Sequence, residues 1–157
     1  MTQARPKRLK LKVAKNTPAK EKDYSQRDVL DKLGIKLGQV GALVSQTEAP
    51  FDEMLYQKIL TRLTLSPTDD STIKLNVVLV QIDTNSDAVA ILREWRPRIE
   101  AAGSIWLLSP KRTQEGYVDQ RDLIVAGQQA GVVDNKICSV SDTISAMRFV
   151  IRKADRP

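Results

Sequence analysis

The chain has 157 residues, 41% hydrophobic and 28% charged, with a formal net charge of +6, a length that buries one sizeable core. It contains no histidine and a single cysteine, Cys138, which excludes Ser-His-Asp and Cys-His triads, histidine or thiolate zinc sites within the chain, and an internal disulfide. Its apolar runs are far shorter than the roughly 20 residues of a membrane-spanning helix, and no secretory leader pattern opens it, so a cytoplasmic protein without a membrane partner is expected.

The charge is unevenly placed. Residues 1–23 carry Arg5, Lys7, Arg8, Lys10, Lys12, Lys15, Lys20 and Lys22 against Glu21 and Asp23, a surplus of six, while the other 134 residues hold 17 basic and 17 acidic side chains. Isolated aliphatics and two interrupting prolines, Pro6 and Pro18, predict a flexible arm rather than a packed element. Such an arm suits phosphate backbones, because each neutralised phosphate releases counterions. A solvated tail is the plainer reading, and the arm has no aromatic ring on which a base could stack.

From residue 24 the pattern is that of one α/β domain. Ser25 and Asp28 read as the start of a short helix over 25–33, closed by Gly34. Residues 39–46, with Val40, Leu43 and Val44, suggest the first strand. After the break at Pro50, Phe51, Leu55, Ile59 and Leu63 recur at helical spacing, with Asp52 and Glu53 in the first turn, where acids complement the helix dipole. Residues 66–72 are a polar loop. Residues 75–83, centred on Val77-Val-Leu-Val80, predict a strand buried on both faces. Ser86 is placed to cap a helix carrying Val89, Leu92, Trp95, Ile99 and Ala102 on one side, kinked or restarted at Pro97 and ended by Gly103. Residues 105–109 form the next strand, which Pro110 stops before Lys111 and Arg112. Asp119 opens a helix with a small-residue face at Leu123, Ala126, Gly127 and Ala130, and Gly131 ends it. Residues 136–140 and 146–153 read as an antiparallel terminal pair, with Met147, Phe149 and Ile151 on the core side.

Candidate sites follow from position. Lys111 and Arg112, beyond a strand's carboxyl end, join the arm's eight cations as candidate nucleic-acid contacts. Tyr117 and Asp83 are candidate ligand residues, since ligands of open α/β sheets sit outside the carboxyl ends of the strands. An ordinary solvated loop is the alternative for Lys111, Arg112 and Tyr117. Arg148, Arg152 and Lys153 read as charges guarding an edge strand. Cys138 reads as an inert buried thiol, and Trp95 and Trp106 as core. No catalytic residue, metal site or cofactor is assigned.

The order strand, helix, strand, helix, hairpin, together with Leu33-Gly-Ile-Lys-Leu-Gly-Gln-Val40, resembles class I methyltransferases. That family carries a Gly-rich cofactor loop where this chain has Ser45-Gln-Thr-Glu-Ala-Pro50, so the resemblance implies the architecture and puts an altered cofactor loop at its centre. A more specific set, Leu33-Gly-Ile-Lys-Leu-Gly-Gln39, Ile105-Trp-Leu-Leu-Ser-Pro-Lys111, Gly116-Tyr-Val118, Ala130-Gly-Val-Val-Asp134, Lys136-Ile-Cys-Ser139 and Met147-Arg-Phe-Val-Ile-Arg-Lys153, resembles domain of unknown function family 3052, a family of small bacterial proteins. It spans about 30–153 and implies no catalytic residue.

The expected fold is therefore a Rossmann-like α/β domain over 24–157, with a mostly parallel sheet flanked by helices and a C-terminal antiparallel hairpin. The leading functional expectation is a non-catalytic module that docks on nucleic acid or a ribonucleoprotein. The alternatives are a regulatory module with a protein partner or a second copy of itself, and a methyltransferase-like enzyme with an altered cofactor loop.

Overall fold

Val77, Val78, Leu79 and Val80 are each no more than 3% exposed, so strand β3 (Leu75–Gln81) is sealed on both faces and lies inside a six-stranded sheet. The computed structural model describes residues 28–67 and 69–157. The sheet, within a compact unit spanning Leu33–Pro157, contains β1 (Val40–Ser45), β2 (Thr64–Leu65), β3, β4 (Ile99–Pro110), β5 (Val133–Ser139) and β6 (Ile144–Val150), in the order β2-β1-β3-β4-β6-β5. Strands β2, β1, β3 and β4 pair in parallel, and β6 runs antiparallel to both neighbours, β4 and β5. Helix α1 (Val29–Lys32) belongs to a separate unit, and Asp28 Oδ1 accepts from Leu30 N at its start.

The order fixes where the helices go. From β1 the chain crosses through α2 (Glu53–Leu60) outward to β2, whereas from β3 it crosses through α3 (Ala88–Trp95) the other way to β4. Right-handed crossovers in opposite directions put α2 and α3 on opposite faces. The next crossover, through α4 (Gln120–Ala130) to β5, continues in the direction of α3, and those two helices pack together. Alternation along the strands agrees. Val78, Val80, Ile105, Leu107, Met147 and Phe149 form one core with Ile91, Leu92, Trp95, Leu123 and Ala126. Val77, Leu79, Trp106 and Leu108, buried on the opposite side, lie outside that cluster, as do Leu55 and Ile59 of α2.

Several boundaries differ from the sequence reading. The helix expected to run to Ala102 ends at Trp95. A 3-10 turn over Arg96–Arg98 holds Pro97, and β4 starts at Ile99. Pro97 lacks the N–H that would continue the helix, and Ile99 pairs with Leu75 instead. Gly103 thus lies inside a strand, at the register shift between the Leu75 and Val77 pairs; a Cβ there would stand 2.9 Å from Leu75 O. Strand β2 has only two residues and sits between the expected helix and loop, where no element was expected, held because Thr64 N donates to Gln39 O and Ser66 N to Gly41 O. The cap of α3 is Asp87, whose Oδ1 accepts from Ala90 N, and Ser86 instead turns the end of β3 by accepting from Asp83 N. Strand β6 is internal, so Arg148 guards no edge; the edge is β5, because the α4 crossover overshoots one strand position and β6 fills it. Arg152 lies beyond β6 and pairs with Asp155 at 3.3 Å. On that edge Cys138 is half-buried rather than buried.

Candidate functional site

The carboxyl ends of β1, β3 and β4 emerge side by side at Ser45, Gln81 and Pro110. Because the crossovers leave β1 and β3 in opposite directions, the crevice between them is the switch point where open α/β sheets take ligands. A cleft of about 660 Å³ opens there, within the size range of small-molecule sites; Gln81, Leu108 and Ser109 form part of its wall. Glu48, Asp52, Asp83 and Glu115 also line it, with no lysine or arginine.

The loop from β1 to α2 is stitched to itself and to β3. Ser45 Oγ donates to Ala49 O at 2.6 Å and Thr47 Oγ1 to the same oxygen at 3.0 Å. The N–H groups of Gln46, Thr47 and Ala49 already donate to Gln81 O, Ser45 Oγ and Thr47 Oγ1. Gln81 ties the far side: its Nε2 donates to Pro50 O at 2.9 Å, and its Oε1 accepts from Asp52 N at 3.0 Å. Asp52 Oδ1 then caps α2 by accepting from Leu55 N. A Gly-rich loop offers free backbone N–H groups to a ligand. In this loop those three N–H groups are engaged, and its chemistry is carried by acidic side chains.

Asp83, predicted from sequence, stands in this wall. Its Oδ1 accepts from Asn85 N at 2.9 Å, and Thr84 N donates to Gly116 O, which fastens the end of β3 to the loop after β4. The other predicted residues, Lys111, Arg112 and Tyr117, line a neighbouring cleft of about 500 Å³ that shares Ser109 and Pro110 with the first. Arg121 also lines this cleft and contacts Asp119, with Nη2 3.2 Å from Oδ2. The Arg121 side chain and N–H hold the Asp119 carboxyl below its ordinary range, with Arg112 adding to the effect; Asp119 in turn raises Arg121. A third, smaller cleft lies between the starts of α3 and α4, bordered by Asp83, Tyr117 and Asp122.

The structure thus gathers Asp83, Lys111, Arg112 and Tyr117 at one end of the sheet: Asp83 lines the acidic cleft, Lys111 and Arg112 the basic one, and Tyr117 borders the basic cleft and, with Asp83, the third. The eight arm cations, Arg5 through Lys22, lie outside the described residues. Sequence reasoning missed Glu48, Gln81, Glu115 and Arg121. The one legible signal was Gln81, an amide closing the apolar run Val77-Val-Leu-Val80. Among the described residues no three His, Cys, Asp or Glu side chains gather as a metal set, and no helix is long and apolar enough to cross a membrane.

The fold is similar to that of a SAM dependent methyltransferase from Aquifex aeolicus, with a TM-score of 0.54 and 10% identity over 79% of this chain and 88% of that one. It is also similar to the CcbJ methyltransferase from Streptomyces caelestis, with a TM-score of 0.52 and 8% identity over 78% and 87%. The O-methyltransferase NcsB1 from neocarzinostatin biosynthesis, in complex with S-adenosylmethionine, gives 0.54 and 13% over 84% and 54%. The match spans 54% of the NcsB1 chain in that complex and 37% in another. At such identities the likeness is one of fold. No curated protein matches the chain. The model of one family matches residues 31–153, the span that holds the whole sheet, and the chain belongs to that family, described as protein of unknown function (DUF3052).

Proposed function

We propose that the protein binds a small cationic, hydroxyl-bearing ligand of the S-adenosylmethionine type in the cleft at the β1/β3 switch point. The observation that carries this reading is the acidic lining: Glu48, Asp52, Asp83 and Glu115 surround a crevice of about 660 Å³ free of basic side chains. Carboxylates there attract a sulfonium and accept hydrogen bonds from a ribose diol. The similarity in fold to S-adenosylmethionine-dependent enzymes supports the choice of ligand. Calorimetry on the full chain tests it: S-adenosylmethionine gives saturable heat at about millimolar ligand or below, S-adenosylhomocysteine, without the sulfonium charge, binds more weakly, and Asp83→Asn weakens the first. No heat with either ligand removes the reading, and equal affinity for both removes the charge argument.

A second reading rests on a separate observation, the surplus of six positive charges in the first 23 residues beside an electrically balanced remainder. That asymmetry supports a nucleic-acid or ribonucleoprotein partner held by phosphate contacts. Its test is a salt titration of binding to generic RNA and DNA, comparing the full chain with a full-length variant whose eight arm cations are glutamine. Each phosphate contact contributes a slope of about −0.9 on duplex DNA, so the variant's line is nearly flat; equal slopes dismiss the idea.

A further inference from the structure

We propose that the second cleft, at the carboxyl end of β4, is an oxyanion site that holds the phosphate or carboxylate of a small molecule through Arg112, Lys111 and Arg121. The cleft adjoins the acidic one at Ser109 and Pro110 but is lined by different charged residues, and its test does not require the first to be occupied. Three cations line it against one acid, Asp119, and Ser109, Ser145 and Tyr117 add hydroxyls.

The state of each group favours an added anion. Asp119 is already committed: its Oδ1 accepts from Arg121 N at 2.8 Å at the start of α4, and its Oδ2 meets Arg121 Nη2. Arg112 makes no hydrogen bond or ion pair among the described residues, so its planar fork of five donors is available for bidentate binding. Lys111 donates to Ser139 Oγ at 2.6 Å, which leaves donors of its ammonium unused and fixes its position. The loop itself is anchored, since Lys111 N donates to Thr143 O and Gln114 N to Lys111 O. Asp119 is a built-in example of what this surface does to a carboxylate, which is to hold it ionised. The boundary with the first cleft reinforces the choice, because an anion crossing Ser109 and Pro110 meets Asp83 and Glu115 and is repelled. The pair of clefts therefore suits a ligand of opposite charge at its two ends, or a cation and an anion side by side.

The test is an amide chemical-shift titration of the full chain with inorganic phosphate and, in parallel, with acetate. Saturable shifts at Arg112, Tyr117 and Arg121 are expected, stronger for whichever oxyanion the site prefers. Arg112→Gln, which removes no contact of the fold, weakens binding about tenfold, whereas Lys58→Gln, an equal charge change on α2, leaves it unchanged. Adding Lys111→Gln to Arg112→Gln weakens it further. Three outcomes overturn the proposal: shifts confined to residues 1–23, equal affinity in Arg112→Gln and Lys58→Gln, or saturable shifts with a single-stranded oligonucleotide but with neither small anion.

Discussion

The loop from β1 to α2 and the loop from β4 to α4 leave adjacent parts of the same sheet end, and each runs into an Asp-capped helix. They use their polar groups in opposite ways. The first, residues 46–52, turns its hydroxyls and several amides inward on Ala49, Ser45 and Gln81, so what it shows outward is carboxylate. The second, residues 111–119, is held by its backbone and leaves the Arg112 side chain without a hydrogen bond or ion pair among the described residues. Two loops in equivalent places on one scaffold thereby acquire opposite selectivity. Which donors a loop consumes internally decides this as much as which residues it contains.

The largest way to break the comparison is to part β1 from β3, on which the first loop depends. A Cβ at Gly41 would stand 2.3 Å from Val77 O and 3.0 Å from Leu63 Cδ2, and neither a paired strand nor a packed leucine can retreat far. Gly41→Ala is expected to cost about 3 kcal/mol or more by overpacking, read by urea denaturation. A change under about 1 kcal/mol would mean that the two strands adjust freely, so that the first loop's geometry is softer than its hydrogen bonds imply.

Next comes the clamp. Gln81→Leu keeps the side chain's bulk but leaves Asp52 N and Pro50 O without their partner. Loss of such a pair costs about 1–3 kcal/mol where water cannot replace it. Exposure of the Pro50 carbonyl places the expectation near 2 kcal/mol. Amide exchange at Asp52 and its neighbours is expected to quicken while that at Lys111 and Gln114 stays the same. Equal quickening in both loops would show that they form one unit. A smaller effect is expected from Asp52→Ala, about 1 kcal/mol for a lost N-cap, measured by the same denaturation.

Much of this fold was legible because its signals are local. The unbroken apolar run at Val77-Val-Leu-Val80 marked a strand sealed on both faces, and Asp119 with Gly131 marked the bounds of α4. The alternation of Met147, Phe149 and Ile151 marked the core side of the hairpin, and all three are buried. What failed was non-local. Residues 99–103 have helical spacing, but Ile99 finds a strand partner in Leu75, and pairing overrides spacing. Strand β2 has two residues and no periodicity to detect. The internal place of β6 follows from the path of a crossover, which the residues of β6 do not encode. The site was half legible for the same reason. Asp83, Lys111 and Arg112 mark strand ends, whereas Glu48 and Glu115 are drawn together only by the switch in strand order.

The finest test separates the charge of Asp119 from its capping hydrogen bond. Asparagine caps a helix about as well as aspartate, so Asp119→Asn retains the bond to Arg121 N and removes only the ionised partner of the Arg121 side chain. The carboxyl of Asp119 is lowered from its ordinary 3.8, first by the hydrogen bond from the Arg121 side chain, then by its N–H, and last by Arg112. A group lowered on folding contributes stability that is complete above its unfolded value and lost as pH falls through the folded one. The stability difference between wild type and Asp119→Asn is therefore expected to be constant from neutral pH down to about pH 5, then to shrink once the pH drops below 3.8. In an Arg112→Gln background the difference is slightly smaller at neutral pH and its loss is complete at slightly higher pH, because one source of the lowering is gone. The effect is small because the pair is exposed and water and salt screen it. A difference that grows as pH falls, or one indifferent to Arg112, would mean that the cations of the second loop do not act on an anion held beside them.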